Sequence, residues 1–334
     1  MFRSNGFQRV SKGLRSFSTG QTMAQRLRIG YVPEHFSTPL AFAQKHYQLK
    51  AELIPFPTGT GALASSLKAP RNEAGSIDVA IGLTEGFVAD LGKTIASNAR
   101  PNYGLIGTYV DSPLCWAIVT GAQRSEINDV SDLKGRRVGV SRIGSGSYVM
   151  SFVLADQRGW LEQTKEPFGV VPIGDFAALR KSVGPDASSE FFMWEHFTTK
   201  HFWDNGELKR IGEIYTPWPS WMITARTHEN LEADVERMVG AINDGITHYR
   251  ENKAEAVEHI TSTMHYSKED AKEWMKTVVF PADVRGVKSS VIDQTASILR
   301  KAGVLTEEAG GSDEMILIER QEEDVLANAA DVNV

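Results

Sequence analysis

Three times between residues 27 and 110, a short apolar run is followed by a polar loop and then by a helical pattern. The runs are 27–32, 52–56 and 77–81. The helices begin near Pro39, reach about Lys68, and reach about Leu91. A chain that alternates in this way returns to the same edge after each helix. Its strands therefore lie parallel, with right-handed crossovers. The expected fold is α/β, with mostly parallel sheets flanked by helices. In such sheets ligands bind beyond the carboxyl ends of the strands. The loops to watch are therefore 34–38, 58–61 and 82–85.

A second unit begins after Asp111-Ser112-Pro113. Strands are expected at 114–120, 137–141, 168–171, 190–193 and 209–214, with a turn at Asp132-Leu133-Lys134-Gly135. The segment Arg142-Ile143-Gly144-Ser145-Gly146-Ser147 opens a helix through about Gln157. Residues 216–221, Thr-Pro-Trp-Pro-Ser-Trp, form a stiff aromatic link to a last strand at 222–225. From residue 229 the chain reads as helix. Leu231, Val235, Met238, Val239, Ile242, Ile246 and Tyr249 make one apolar stripe at helical spacing. Further helices are expected at 253–263, 267–277 and 287–302. After Thr306 the tail is acidic and poor in large apolar residues, which predicts loose packing or mobility.

The chain has 334 residues, enough for two domains or two lobes. No run of 18 apolar residues occurs, so no membrane span is expected. The formal charge is −6. Without the basic residues of 1–22 it is about −10, which argues against nucleic-acid binding. Cys115 is the single cysteine. No disulfide can form within the chain, and the apolar run around Cys115 predicts a buried structural thiol.

The front end differs in kind. Residues 1–33 carry Arg3, Arg9, Lys12, Arg15, Arg26 and Arg28 and no acid before Glu34. Phe7, Val10, Leu14 and Phe17 share one helical face, and Arg9, Lys12 and Arg15 the other. That is the composition of a mitochondrial presequence over residues 1–25; the alternative is a basic tail with accidental periodicity. The expected location is the mitochondrial matrix, or the cytoplasm if translation starts at Met23.

Four phrases carry a resemblance: Leu27-Arg28-Ile29-Gly30-Tyr31 with Pro39-Leu40-Ala41-Phe42-Ala43; Gly75-Ser76-Ile77-Asp78-Val79-Ala80-Ile81-Gly82; Asp132-Leu133-Lys134-Gly135-Arg136-Arg137-Val138-Gly139-Val140; and Trp194-Glu195. Together they resemble the type II periplasmic-binding-protein superfamily. The nearest branch is the sulfonate/nitrate/taurine-binding group, which also holds the fungal thiamine-pyrimidine synthases. The resemblance implies a two-lobed clamshell with a ligand in the cleft between the lobes. Residues 26–110 and 222–305 would form lobe I, 111–221 lobe II, and 306–334 a tail. The fungal synthases rely on a cysteine-rich segment with iron, and this chain has only Cys115.

Several residues are candidates for ligand contact. Gly144, Ser145, Gly146 and Ser147 precede a helix, where free N–H groups favour an anion or a carbonyl, and Arg142 stands beside them. The same residues could be a plain helix cap. Thr58, Gly59, Thr60 and Gly61, and Ser37 and Thr38 before Pro39, are built alike. Glu34, His35 and Phe36 offer charge, hydrogen bonds and a ring for stacking. Thr84 and Glu85 form a second acidic loop. Trp194, Glu195 and His196 follow a strand and would face the cleft, and Trp218 lies in the aromatic link. No P-loop, dinucleotide fingerprint, His-Glu-x-x-His or Cys-x-x-Cys occurs, so no cofactor or metal is expected. Nothing in the sequence specifies an oligomeric state.

Two readings follow. The first is a non-enzymatic protein that closes two lobes on a small polar or heteroaromatic metabolite. The alternative is an enzyme of thiamine-precursor or related cofactor metabolism, using Glu195, His196 or His35.

Overall fold

The structure, a computed structural model, describes residues 26–184, 187–227 and 231–321. The presequence expected over 1–25 lies outside the described residues.

The described chain builds two five-stranded sheets of identical plan. In the first, β1 (Leu27–Tyr31), β2 (Ala51–Pro55), β3 (Val79–Leu83) and β4 (Tyr103–Val110) all point one way. The second holds β5 (Cys115–Gly121), β6 (Arg137–Val140), β7 (Gly169–Pro172), β8 (Phe191–Glu195) and β9 (Leu208–Tyr215). Strand β10 (Trp221–Arg226) then returns to the first sheet. The orders are β2-β1-β3-β10-β4 and β7-β6-β8-β5-β9. In each sheet one strand runs against the other four, and it is the strand that has just crossed from the other lobe. This is a two-lobed α/β clamshell with open, mostly parallel sheets.

Helices cover both sheets. On the first they are α1 (Thr38–His46), α2 (Thr60–Lys68) and α3 (Thr84–Ala96). On the second they are α4 (Gly146–Gln157), α5 (Phe176–Ser182) and α6 (His196–Asp204). After β10 come α7 (Glu232–Glu251), α8 (Lys253–Thr263), α9 (Lys268–Thr277), α10 (Ser289–Lys301) and α11 (Ser312–Met315). The predicted α7 stripe is buried from Leu231 to Tyr249. It packs on α1 at Gly245, where a Cβ would stand 2.3 Å from the Pro39 carbonyl oxygen. Only glycine allows the two helices so close.

Two sequence expectations need correction. Strand β4 was not foreseen, although all eight of its residues are buried. The tail does not hang loose from Thr306. Ala309 and Met315 are fully buried, and Ile316 and Glu319 bridge to Leu105 and Val287. The tail stays docked because Ile316 and Leu317, beside Gly286, cover the outer edge of β4, whose unpaired backbone groups need partners. Residues 322–334 lie outside the described residues.

Met315→Ala tests that docking. Removing a fully buried side chain at this edge should cost about 2–5 kcal/mol in chemical denaturation. Wild-type stability would mean the tail segment contributes nothing.

Candidate functional site

The chain passes between the lobes twice, and the two passages are tied together. Thr216 N–H donates to the Leu114 carbonyl (3.0 Å), Leu114 N–H to Thr216 Oγ1 (2.9 Å), and Ser220 N–H to the Ser112 carbonyl (3.2 Å). Above this waist the carboxyl ends of β1, β3 and β8, the start of β5, and the N-termini of α2 and α4 meet around a cavity of about 70 Å³.

Lobe I lines the cavity with Val32, Glu34, Thr58, Gly59, Thr60, Leu83, Gly86 and Trp221. Lobe II supplies Leu114, Trp116, Ser141, Arg142, Ser145, Gly146, Ser147, Trp194 and Glu195. The indoles of Trp116 and Trp194 stand edge to face, with centroids 6.5 Å apart, and Phe176 stacks behind Trp194. The buried indole nitrogens of Trp116 and Trp221 have no protein acceptor. Buried donors without partners cost free energy unless a water or a ligand satisfies them.

Two carboxyls reach the cavity from opposite lobes. Burial, and the charge of Glu195 across the cavity, raise the Glu34 pKa to about 8. Burial raises Glu195 to about 7, although the Thr198 N–H donates to its Oε2 at 2.6 Å. Two acids facing each other across a small cavity resist ionising together.

The helix-start loops serve as both cap and wall. Ser145 caps α4 by accepting from the Tyr148 N–H, and its hydroxyl donates to the Arg142 carbonyl at 2.7 Å. Ser147 Oγ accepts from the Ser141 N–H at 3.0 Å. These bonds fix the loop. Gly146 is required for closeness: a Cβ there would lie 2.9 Å from Glu85 Oε1 and 3.0 Å from the Trp116 ring. The Arg142 guanidinium reaches across the cleft and lies against Gly61.

Other expected residues sit elsewhere. His35 is fully buried behind the cavity, caged by Phe36, Tyr266 and Trp274 with centroids 4.2–4.6 Å away. Neither ring nitrogen has a hydrogen-bond partner, and Glu195 Oε1 is 3.6 Å from Nε2. Burial holds the ring well below the usual histidine range, so it is neutral. The short 3-10 turn at His35–Ser37 rotates His35 and Phe36 away from Glu34. Ser37 and Thr38 bond back to the Glu34 and His35 carbonyls and do not reach the cavity. Glu85 is buried beneath the wall, with Trp218 Nε1 donating to its Oε2 at 3.0 Å, and burial raises it to about 7. Thr84 donates to the Pro219 carbonyl, so it and Trp218 serve the waist. Gly144 and Gly61 are not on the wall, and His196 points out of the cleft, towards Cys115 and Glu213. Cys115 itself is half-buried, not the fully buried thiol expected.

Sequence reasoning missed Trp116 and Trp221. In the sequence Trp116 reads as part of an apolar run and Trp221 as the end of the aromatic link 216–221. The available signal was their position: each lies where a crossing strand enters its sheet.

The carboxyls set a pH dependence. A carboxyl whose folded pKa is raised loses protons first in the unfolded chain. It therefore lowers stability progressively as pH rises from about 4.5 to the folded value. Glu34→Gln removes that contribution. The melting temperature of the variant minus that of the ligand-free wild type should be smallest near pH 5 and grow towards pH 8. A difference independent of pH would show that Glu34 ionises normally.

Comparison with known proteins follows the same lines. A family model described as Ca3427-like PBP matches residues 116–214. The Candida albicans CA3427 gene product, described as defining a new family with the generic periplasmic binding protein fold, is 41% identical. The match covers 84% of this chain and 91% of that one, with a TM-score of 0.74. The alkanesulfonate-binding protein SsuA from Xanthomonas axonopodis pv. citri, solved with MOPS, is 15% identical over 86% of this chain and 96% of its own, with a TM-score of 0.67. The periplasmic nitrate-binding protein NrtA from Synechocystis PCC 6803 is 14% identical over 92% and 88%, with a TM-score of 0.65. These two share the fold alone. Comparison with curated proteins gives no match. Identity of 41% along most of both chains is decisive: this chain belongs to the family defined by CA3427, within the type II periplasmic-binding-protein superfamily.

Proposed function

We propose that this protein binds a small amphoteric molecule in the cleft, a single heteroaromatic ring carrying amino or ring N–H donors. The observation that carries this reading is the facing pair Glu34 and Glu195 inside a wall of three indoles. A ligand donor between the carboxyls would relieve their repulsion, and a ring would stack on the indoles. Ring nitrogens or carbonyls would accept from the unpartnered indole N–H groups. The α4 N-terminus and Arg142 suit a polar or anionic end of the same molecule. At about 15 Å³ per water, the cavity holds about five waters, which limits the ligand to one ring in this closed arrangement.

The alkanesulfonate and nitrate for which SsuA and NrtA are named are anions. Paired acids oppose a bare anion at this position, so the family fold is used here for a different charge. The enzymatic alternative finds less support, because neither His35 nor His196 lines the cavity.

Thermal shift and native mass spectrometry on the whole protein provide the test. An aminopyrimidine should stabilise the protein, whereas nitrate and a small alkanesulfonate should not. Glu34→Gln and Glu195→Gln should each weaken aminopyrimidine binding about ten- to hundredfold, the loss of one charge-assisted hydrogen bond. Arg142→Ala should do so only for ligands with an anionic end. Anion binding that both glutamine variants leave unchanged would refute the reading.

The acid-free basic segment over residues 1–25 supports delivery to the mitochondrial matrix. A reporter carrying residues 1–30 should enter mitochondria, and Arg9→Glu with Arg15→Glu should abolish import. A native segment that leaves the reporter in the cytosol refutes this part.

A further inference from the structure

Outside the cleft, three potential metal donors of different chemistry converge. Cys115 opens β5, His196 opens α6, and Glu213 lies in β9. Cys115 Sγ is 3.7 Å from His196 Nδ1 and 3.8 Å from Glu213 Oε2, and the imidazole and carboxylate atoms are 3.7 Å apart. The triangle is nearly equilateral. Tetrahedral zinc with bonds of about 2.3 Å to sulfur and about 2.0–2.1 Å to nitrogen and oxygen needs donor separations of about 3.3–3.6 Å. Shifts of a few tenths of an ångström would close the site. The imidazole–carboxylate separation exceeds that of a hydrogen bond, and the two sulfur contacts are long, weak hydrogen bonds that a metal ion would replace.

The donors open onto a second cavity, of about 250 Å³, next to the waist. It leaves room for a water or a small ligand in the fourth position. We propose that Cys115, His196 and Glu213 form a binding site for a divalent transition-metal ion of the zinc class. Cysteine binds as the thiolate and releases its proton to solvent. Sulfur, imidazole and carboxylate together favour zinc over magnesium or calcium, which prefer all-oxygen shells.

The neighbourhood contains one competitor and one helper. Arg210 pairs with the same Glu213 oxygen and must release it when metal binds. The Tyr215 hydroxyl hydrogen-bonds to Cys115 and can orient the sulfur. A second cluster, His46, His248 and Glu255, also holds three donors within reach. Its imidazole–carboxylate distances of 2.8 and 2.9 Å are hydrogen bonds, and Lys45 Nζ occupies the same carboxylate at 2.7 Å. There the imidazoles are bound directly to the carboxylate, which leaves no gap for an ion between the donors, so that cluster serves as the control.

The test uses the full chain after dialysis against a chelator. Titration with Co²⁺ should give one equivalent per chain and a thiolate-to-cobalt charge-transfer band, and Zn²⁺ should displace the cobalt and the band. Cys115→Ser should abolish the band. His196→Ala and Glu213→Gln should each weaken zinc at least about tenfold, since even outer-shell partners of a metal site cost that much. Arg210→Ala should tighten zinc by freeing the carboxylate, an effect that loss of fold cannot mimic. His248→Ala should change nothing. Circular dichroism checks each variant; Glu213 and Arg210 are exposed, so these two carry the test if the others unfold. No charge-transfer band in the wild type, or zinc affinity unchanged by all three donor substitutions, overturns the proposal.

Discussion

Everything around the cleft depends on two antiparallel insertions. Strand β5 enters the second sheet between β8 and β9, and β10 enters the first between β3 and β4. Each insertion anchors one crossing segment by strand pairing on both sides. The crossing segments are then tied to each other through Leu114, Thr216, Ser112 and Ser220. The carboxyl ends of the parallel strands and the starts of α2 and α4 are brought to the cleft by the strand plan itself.

The electrostatics of the cleft add a second constraint. Glu34 and Glu195 belong to different lobes, so their mutual repulsion is felt most when the lobes are close. Closure without a counter-charge or a donor requires at least one of them to keep its proton. Neutral His35, 3.6 Å from Glu195, supplies no compensating positive charge. On the proposed reading, an unliganded closed form would be penalised at neutral pH, and a ligand with donors at this point would shift the balance towards closure.

Much of the lobe I architecture was legible from sequence, because β1 to α3 obey one simple rule of strand, loop and helix. Strand β4 escaped because no loop–helix pair follows it; the chain leaves directly for the other lobe. Residue order was a poor guide to side-chain direction at the site. Glu34 and His35 are neighbours in sequence, yet the 3-10 turn sends one to the cavity and the other into an aromatic cage. Glu195 and His196 diverge in the same way at the junction of β8 and α6. The Cys115, His196 and Glu213 cluster was invisible because its members lie 81 and 98 residues from the cysteine or within separate elements, far outside local metal-motif spacing. The buried tail was misjudged because composition measures how much apolar surface a segment has, not which edge that surface must cover.

The placement of β10 and of the bridges at Ile316 and Glu319 also orders events on the ribosome. The second sheet is contiguous, from Cys115 to Tyr215, and every strand it needs has been made before β10 emerges. The first sheet begins earlier in the chain but lacks the reversed strand between β3 and β4 until Trp221–Arg226 is synthesised. Its outer edge stays uncovered until Gly286 and then Ile316 appear. The half of the molecule translated first is therefore the half completed last, and in the interval β3 and β4 expose open backbone to any chaperone or stray strand nearby.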